Sequence, residues 1–263
     1  MDPSLFDLNA KLENAHWWYR ARARVIRELA LTLMPPFPSV VEVGCGTGGV
    51  LAALPDDWER IGVDPAEKAI GLGRSLYPDL DLRVGLAPEA VKEDLERADL
   101  VLICDVLEHV EDDGGLFSQI VRCLKPGGHL LLTVPANPKL WTDHDVTHGH
   151  FRRYTRGSLA ALLGQSPLLQ VRLFSPFNRY LYPIVRVVRS VSRIRGKTLG
   201  AGDSDLFLPP RPVNRTLEAI FFAEHKGLLA ALDRPHRKPR MGGVSWIACA
   251  QKTERERDSS AAT

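Results

Sequence analysis

The chain lacks any run of about 18 uninterrupted apolar residues, the length a bilayer core demands, so no membrane span is expected. Its opening, MDPSLFDLNAKLENAHWW, carries acids and has no apolar centre of signal-peptide type. Cysteine is scarce. Cys45, Cys104, Cys123 and Cys249 lie far apart, and no pair has the C-x-x-C spacing of a thiolate zinc site. Buried free thiols in a reducing compartment are expected, which places the protein in the cytoplasm. There is no internal repeat, and only the polar tail 253–263 reads as disordered. Net charge is a mere +2, but residues 176–198 hold six basic residues and no acid.

What is present is an ordinary globular composition, 44% hydrophobic and 25% charged over 263 residues. Val25, Ile26, Leu29 and Leu33 predict a helix over 10–33, stopped by Pro35 and Pro36. Strand patterns follow at 39–43, 60–63, 80–84, 99–104, 129–134, 168–174 and 243–250. Helical patterns near 66–76, 88–96, 113–124 and 156–164 separate most of them. This alternation predicts an α/β, Rossmann-like fold with a seven-stranded, mostly parallel sheet covered on both faces. The last two strands lack a normal helical crossover, so the final strand is expected to run antiparallel.

The segment Glu42-Val43-Gly44-Cys45-Gly46-Thr47-Gly48-Gly49 leaves the first strand through glycines, which let backbone approach a ligand closely. Gly44, Gly46 and Gly49 satisfy G-x-G-x-x-G, and Asp64 falls about 20 residues on, where a dinucleotide fold keeps its ribose-binding acid. From these residues alone a nicotinamide-dependent oxidoreductase stays open. Glu42 points elsewhere: an acid there suits a cationic amino group, which a pyrophosphate ligand lacks.

VVEVGCGTG, GVD, DVLEHV and LKPGG, in that order, resemble the class I S-adenosylmethionine-dependent methyltransferases. The likeness is greatest to the small-molecule group that includes ubiquinone-biosynthesis methyltransferases, and it covers about residues 14–175 plus the final strand. It implies S-adenosylmethionine as cofactor and S-adenosylhomocysteine as its product. Glu42 would meet the cofactor's amino group, while Gly44, Cys45, Gly46 and Gly48 would lie along its methionine part. Asp64, followed by Pro65, would bind the ribose diol. Leu86 and Ala87 would edge the adenine, and Asp105, Val106 and Leu107 would line the site near the sulfonium. Many relatives carry Asp where Leu86 stands, so another group must read the adenine amine here. His16-Trp17-Trp18-Tyr19, followed by Arg20, Arg22 and Arg24, resembles a segment of some of these enzymes, and implies a helical lid with Tyr19 or Arg22 near the cofactor's carboxylate.

Methyl transfer is an in-line displacement that needs alignment and, for a hydroxyl nucleophile, a base. Residues 141–155, WTDHDVTHGHFRRYT, resemble an HD…GH-RRYT motif of bacterial methyltransferases associated with glycans, lipids or secondary metabolites. His144 is the expected base, oriented by Asp143 or Asp145, with His148 and His150 next in line. Arg152, Arg153 and Tyr154 are expected at the acceptor, the arginines for an anionic group. The competing reading has His150, Arg152 and Tyr154 brace the loop through hydrogen bonds. Asp105, Glu108 and His109 have D-x-x-E-H spacing, which a helix would gather on one side with His144 beside them. The same pair makes structural hydrogen bonds in metal-free relatives, and no metal is expected.

Residues 177–194 pattern as a basic amphipathic helix and 213–232 as a second, joined by a loop at 199–212. The expected organisation is a helical lid segment (1–36), a cofactor-binding core (37–175), a helical hairpin covering the acceptor (176–240), a last core strand (241–252) and the tail. The basic helix, 177–197, could also touch an anionic membrane face bearing a lipid-linked acceptor. No nucleic acid is expected as a partner, and a non-catalytic protein retaining the cofactor fold is the other competing class.

Overall fold

The computed structural model describes residues 3–195, 207–234 and 242–254. Two helices open the chain, α1 (Pro3–Leu12) and α2 (Trp17–Leu33), where the pattern suggested one. The break arises because His16 caps α2, its Nδ1 accepting from Trp18 N at 3.2 Å.

Seven strands form one sheet: β1 (Ser39–Val43), β2 (Glu59–Asp64), β3 (Asp81–Val84), β4 (Leu100–Cys104), β5 (His129–Pro135), β6 (Leu169–Phe177) and β7 (Ser245–Lys252). Their order is β3-β2-β1-β4-β5-β7-β6. The first five pair in parallel, and β7 lies antiparallel between β5 and β6, as the missing crossover predicts. β4 is buried along its whole length, which is why it reads as an unbroken apolar run.

Alternate strand residues feed two cores. On one face Val40, Leu100 and Leu102 pack with Val25, Ile26 and Leu29 of α2 and Ile70 of α4 (Glu67–Leu76). On the other, Val41, Val101 and Ile103 meet Leu95 of α5 (Lys92–Arg97), Phe117 and Ile120 of α6 (Asp113–Cys123) and Leu159 of α8 (Arg156–Leu163). Between β1 and β2 lies a single helical turn, α3 (Gly49–Ala52), and between β5 and α8 a short helix, α7 (Asp143–Thr147). All four cysteines are free.

Between β6 and β7 run α9 (Tyr182–Arg195), α10 (Arg211–Phe222) and α11 (His225–Leu229). β6 pairs with β7 as far as Phe177, so the first of these helices begins later than its apolar spacing suggests. The helices take different supports instead of forming a self-contained hairpin. α10 rests on α2: Arg20 and Arg24 both reach Glu218, at 2.9 and 3.0 Å, and Trp17 meets Phe221 edge-to-face. α9 rests on the turn after β5, where Arg189 donates to the Leu140 carbonyl at 2.7 Å. Ile184, Val187 and Val191 of α9 stay exposed. Most of the 199–212 loop and the tail from 255 lie outside the described residues. No helix among the described residues is long and apolar enough to cross a membrane.

Candidate active site

The carboxyl ends of β1, β2 and β4 converge where the chain turns out of the sheet. After β1, Gly44, Gly46 and Gly48 take φ of +68°, +56° and +89°, a region in which a side chain costs energy. A Cβ on Gly44 would stand 2.5 Å from Val106 Cγ2, so the loop and the turn after β4 touch. Asp64, at the end of β2, is held rigidly: its two oxygens accept from Gly46 N (2.9 Å) and Ala66 N (2.8 Å). Burial raises its pKa, and these bonds oppose the rise. Pro65 follows it in the turn that leads to α4. Leu86, two-thirds exposed, and Ala87 form an open apolar edge beyond β3.

Two buried atoms here have no hydrogen-bond partner. One is Glu42 Oε2, on a side chain only 2% exposed; the other is Arg22 Nε, from α2. Burial pushes the Glu42 pKa up to about 8, with Arg22 opposing and the charges of Asp64 and Glu13 adding to the rise. The other end of Arg22 is engaged: one terminal nitrogen lies 2.7 Å from Asp105 and donates to the Cys104 carbonyl at 2.9 Å. Asp105, at φ +58°, also accepts from Thr133 Oγ1. Tyr19 points its hydroxyl at Asn9 (2.8 Å). Cys45 is buried against the same loop, and Leu107 is fully buried in the core, so only its backbone can face a ligand.

Glu13, between α1 and α2, escaped the sequence reading. Its carboxylate accepts from Thr47 Oγ1 (2.5 Å) and Tyr77 Oη (3.0 Å), so it reaches across the glycine loop. No motif marks it; only the fold brings it there.

On the acceptor side, the histidines gather. His144 and His148 have ring centroids 4.0 Å apart, and His109 and His150 4.6 Å. Burial, then the neighbouring His148 and Arg189, holds the pKa of His144 well below the usual range. Burial and His150 lower that of His109 to about 4. Both rings are therefore neutral at pH 7, and the burial that keeps them so also makes them weaker bases than a free imidazole. Either acid beside His144 could have oriented a base, and the structure separates them. Asp143 is exposed at the start of α7, whereas Asp145 is fully buried and accepts from His150 Nδ1 (2.9 Å), Arg153 Nε (2.7 Å) and Thr142 N (2.9 Å). Burial opposes its ionisation, but His150, Arg153 and Arg189 together hold its pKa below the ordinary carboxylate value.

The acceptor-side arginines and tyrosine have internal partners. Arg153, with a side chain 3% exposed, also donates to the Ala136 carbonyl. Arg152 pairs with Asp113 and donates to the Glu111 carbonyl, and Tyr154 Oη donates to Asp113 at 2.5 Å. Arg152 and Tyr154 are thereby tied to the start of α6, whereas His150 and the buried Arg153 are tied to Asp145 of α7. A different cationic surface lies nearby: Asn137, Lys139, Leu140, Tyr182, Arg186 and Ser190 line a cavity of about 470 Å³, with no carboxylate among its described lining residues. The D-x-x-E-H turn is 3₁₀ over Leu107–His109, and Asp105 at its start pairs with Arg22.

A methyltransferase domain family model matches residues 15–166. Among curated proteins, a "Probable S-adenosylmethionine-dependent methyltransferase" of Mycolicibacterium smegmatis is 32% identical over 125 residues, 47% of this chain and 48% of its own. A trans-aconitate 2-methyltransferase of Azoarcus sp. is 30% identical over 151 residues, 54% of each. The chain thus spans about half the length of these curated relatives. Among solved structures, the plantazolicin methyltransferase BpumL, in complex with a monoazolic desmethylPZN analog and SAH, superposes with a TM-score of 0.57 at 13% identity, over 95% of this chain and 88% of that one. At that identity the likeness concerns the fold, which is that of the class I methyltransferases.

Proposed function

The chain belongs to the methyltransferase domain family, and from that premise we propose that it moves a methyl group from S-adenosylmethionine to an oxygen or nitrogen of a small or lipid-linked acceptor, a glycan or secondary metabolite. The observation that carries this reading is the pair of unpartnered buried atoms, a cationic donor on Arg22 and a carboxylate oxygen on Glu42. Each costs about 1–3 kcal/mol or more while unsatisfied. An amino-acid head group, ammonium and carboxylate together, satisfies both: its ammonium would favour the ionised Glu42 that burial disfavours, which a dinucleotide's pyrophosphate would not. Asp64 would take the ribose diol, and Leu86 and Ala87 the flat adenine. When bound, the cofactor supplies an electrophilic methyl on a sulfonium. The chain's own part is to hold an acceptor in line with it and to accept the acceptor's proton, for which the neutral His144 is the proposed base. Lys139 and Arg186 take over the anion-binding role first expected of Arg152 and Arg153, because their cavity has no carboxylate among its described lining residues to neutralise them. In the lipid-linked form of the reading, Ile184, Val187 and Val191 beside Arg186 would meet an anionic lipid surface.

Calorimetric titration with S-adenosylmethionine, S-adenosylhomocysteine and NAD tests the cofactor. Binding of the first two, weakened at least tenfold in Asp64→Ala and in Glu42→Gln, is the expected result. Binding of NAD alone would overturn the reading.

A further inference from the structure

We propose that the cavity between α9 and the turn after β5 binds a phosphate ester, and that this phosphate is carried by the methyl acceptor. The proposal rests on the function above and names the anion that Lys139 and Arg186 receive. Across the cavity neither cation meets a carboxylate among the described lining residues. Arg152, Arg153 and Arg189 nearby, by contrast, all face Asp113 or Asp145.

α9 presents three sides. Val185 packs on the core and Arg189 donates to the Leu140 carbonyl at 2.7 Å, which turns that side inward. Ile184, Val187 and Val191 recur at helical spacing on the roughly opposite side and stay exposed. Tyr182, Arg186 and Ser190 form the flank between these two sides, and it is the flank that opens on the cavity. A cationic pocket beside an exposed apolar strip suits a phosphate with an apolar body attached.

The polar groups of the pocket are preset. Asn137, at φ +58°, accepts from Lys139 N at 3.1 Å, so its oxygen is assigned and its amide nitrogen must be the donor to Tyr182 Oη at 3.0 Å. The Tyr182 oxygen is therefore an acceptor in that bond and keeps its own O–H for a ligand. Arginine's planar fork matches two phosphate oxygens at once, lysine adds a point charge, and the phenol adds another donor. A carboxylate, with two oxygens and one charge, would leave part of this set unused. The volume of about 470 Å³ exceeds that of a lone anion and leaves room for the body attached to it. The cavity also adjoins the candidate base: Arg189, one helical turn beyond Arg186, is near enough to His144 to depress its pKa.

The test titrates the full chain calorimetrically with phenyl phosphate, with benzoate and, separately, with S-adenosylhomocysteine. Phenyl phosphate should bind one per chain, about tenfold or more tighter than benzoate. Arg186→Gln and Lys139→Gln, both at exposed positions, should each weaken it by about tenfold or more, and Tyr182→Phe by a smaller factor. Arg179→Gln, with the same loss of charge outside the cavity, should bind as the parent does. Sedimentation with phosphatidylcholine vesicles, with and without phosphatidic acid, identifies the source of the ester. Protein that sediments only with phosphatidic acid marks a lipid headgroup, and Val187→Ser should then release the vesicles while phenyl phosphate still binds. Protein that ignores both vesicles but binds phenyl phosphate marks a soluble ester. Absence of phenyl phosphate binding, equal binding of benzoate, or affinity unchanged in Arg186→Gln at an unaltered unfolding midpoint would each overturn the proposal. Failure of S-adenosylhomocysteine to bind would strike the methyl-transfer reading instead, whatever phenyl phosphate does.

Discussion

Replacing Asp145 by Asn keeps shape and removes one charge from a wholly enclosed position. The carboxylate serves His150, Arg153 and Thr142 N at 2.7–2.9 Å, and Arg189 lies 3.5 Å away. The amide can still accept from two of these, but the Arg153 guanidinium is then a buried cation without its counter-charge. Breaking a buried pair by removing one partner costs about 3–5 kcal/mol. For a chain of this size each kcal/mol moves the melting midpoint by about 2–4 °C, so Asp145→Asn should melt roughly 10 °C lower. The pH dependence carries a sign. Asp145 has a folded pKa held below its unfolded value of about 3.9, so its contribution is complete above that value and fades as pH falls through the folded one. The gap between parent and variant should stay constant from about pH 5 upward and close below about pH 4. Thermal melts from pH 3 to 8 measure it, with the exposed Asp143→Asn as the control. A loss under about 1 kcal/mol at pH 7, or a gap that widens on acidification, would refute the assignment of Asp145 as the charge anchor of this loop.

Gly44→Ala forces a Cβ to within 2.5 Å of Val106 Cγ2 at a φ of +68° and should cost about 2–4 kcal/mol, combining crowding and backbone strain. Adding Val106→Ala should return the crowding part in urea denaturation; no recovery would locate the fault in the backbone alone. Glu42 has a folded pKa of about 8 against roughly 4.3 unfolded, so the parent should lose stability as pH rises between those values. Glu42→Gln should flatten that slope, and an unchanged slope would show that Glu42 ionises freely. His144→Ala should leave S-adenosylhomocysteine affinity within about twofold while lowering turnover of an acceptor found by screening by about 10²–10⁴. Full turnover would exclude this histidine as the base.

The sheet and the glycine loop were legible because their signals are local. Alternation, unbroken apolar runs and Gly-rich turns each sit within ten residues, and parallel pairing follows from the helices between strands. The α1–α2 break was not legible, because histidine is an uncommon cap and nothing else in 10–33 interrupts the helical pattern. In the acceptor loop the residue types were readable and their partners were not. Asp143 and Asp145 stand two apart, and only tertiary burial decides which one is enclosed. Arg152 and Tyr154 could be read as meeting the acceptor or as bracing the loop, and nothing local showed that α6 brings Asp113 to them. Glu13 lies in no recognisable motif and acts only because α1 folds back onto α4 and the glycine loop.

Because Glu13 ties the first helix to Thr47 and Tyr77, the amino-terminal turn of the chain is fastened at the very loop on which a ligand would lie. Order in α1 and occupancy of the loop then form one linked equilibrium. If a ligand favours the latch shut, or favours it open, α1 must respond by the same free energy. An affinity measured on the intact chain therefore includes the work of keeping or moving a piece of polypeptide. Trimming the first dozen residues should change that constant without altering a side chain that meets the ligand.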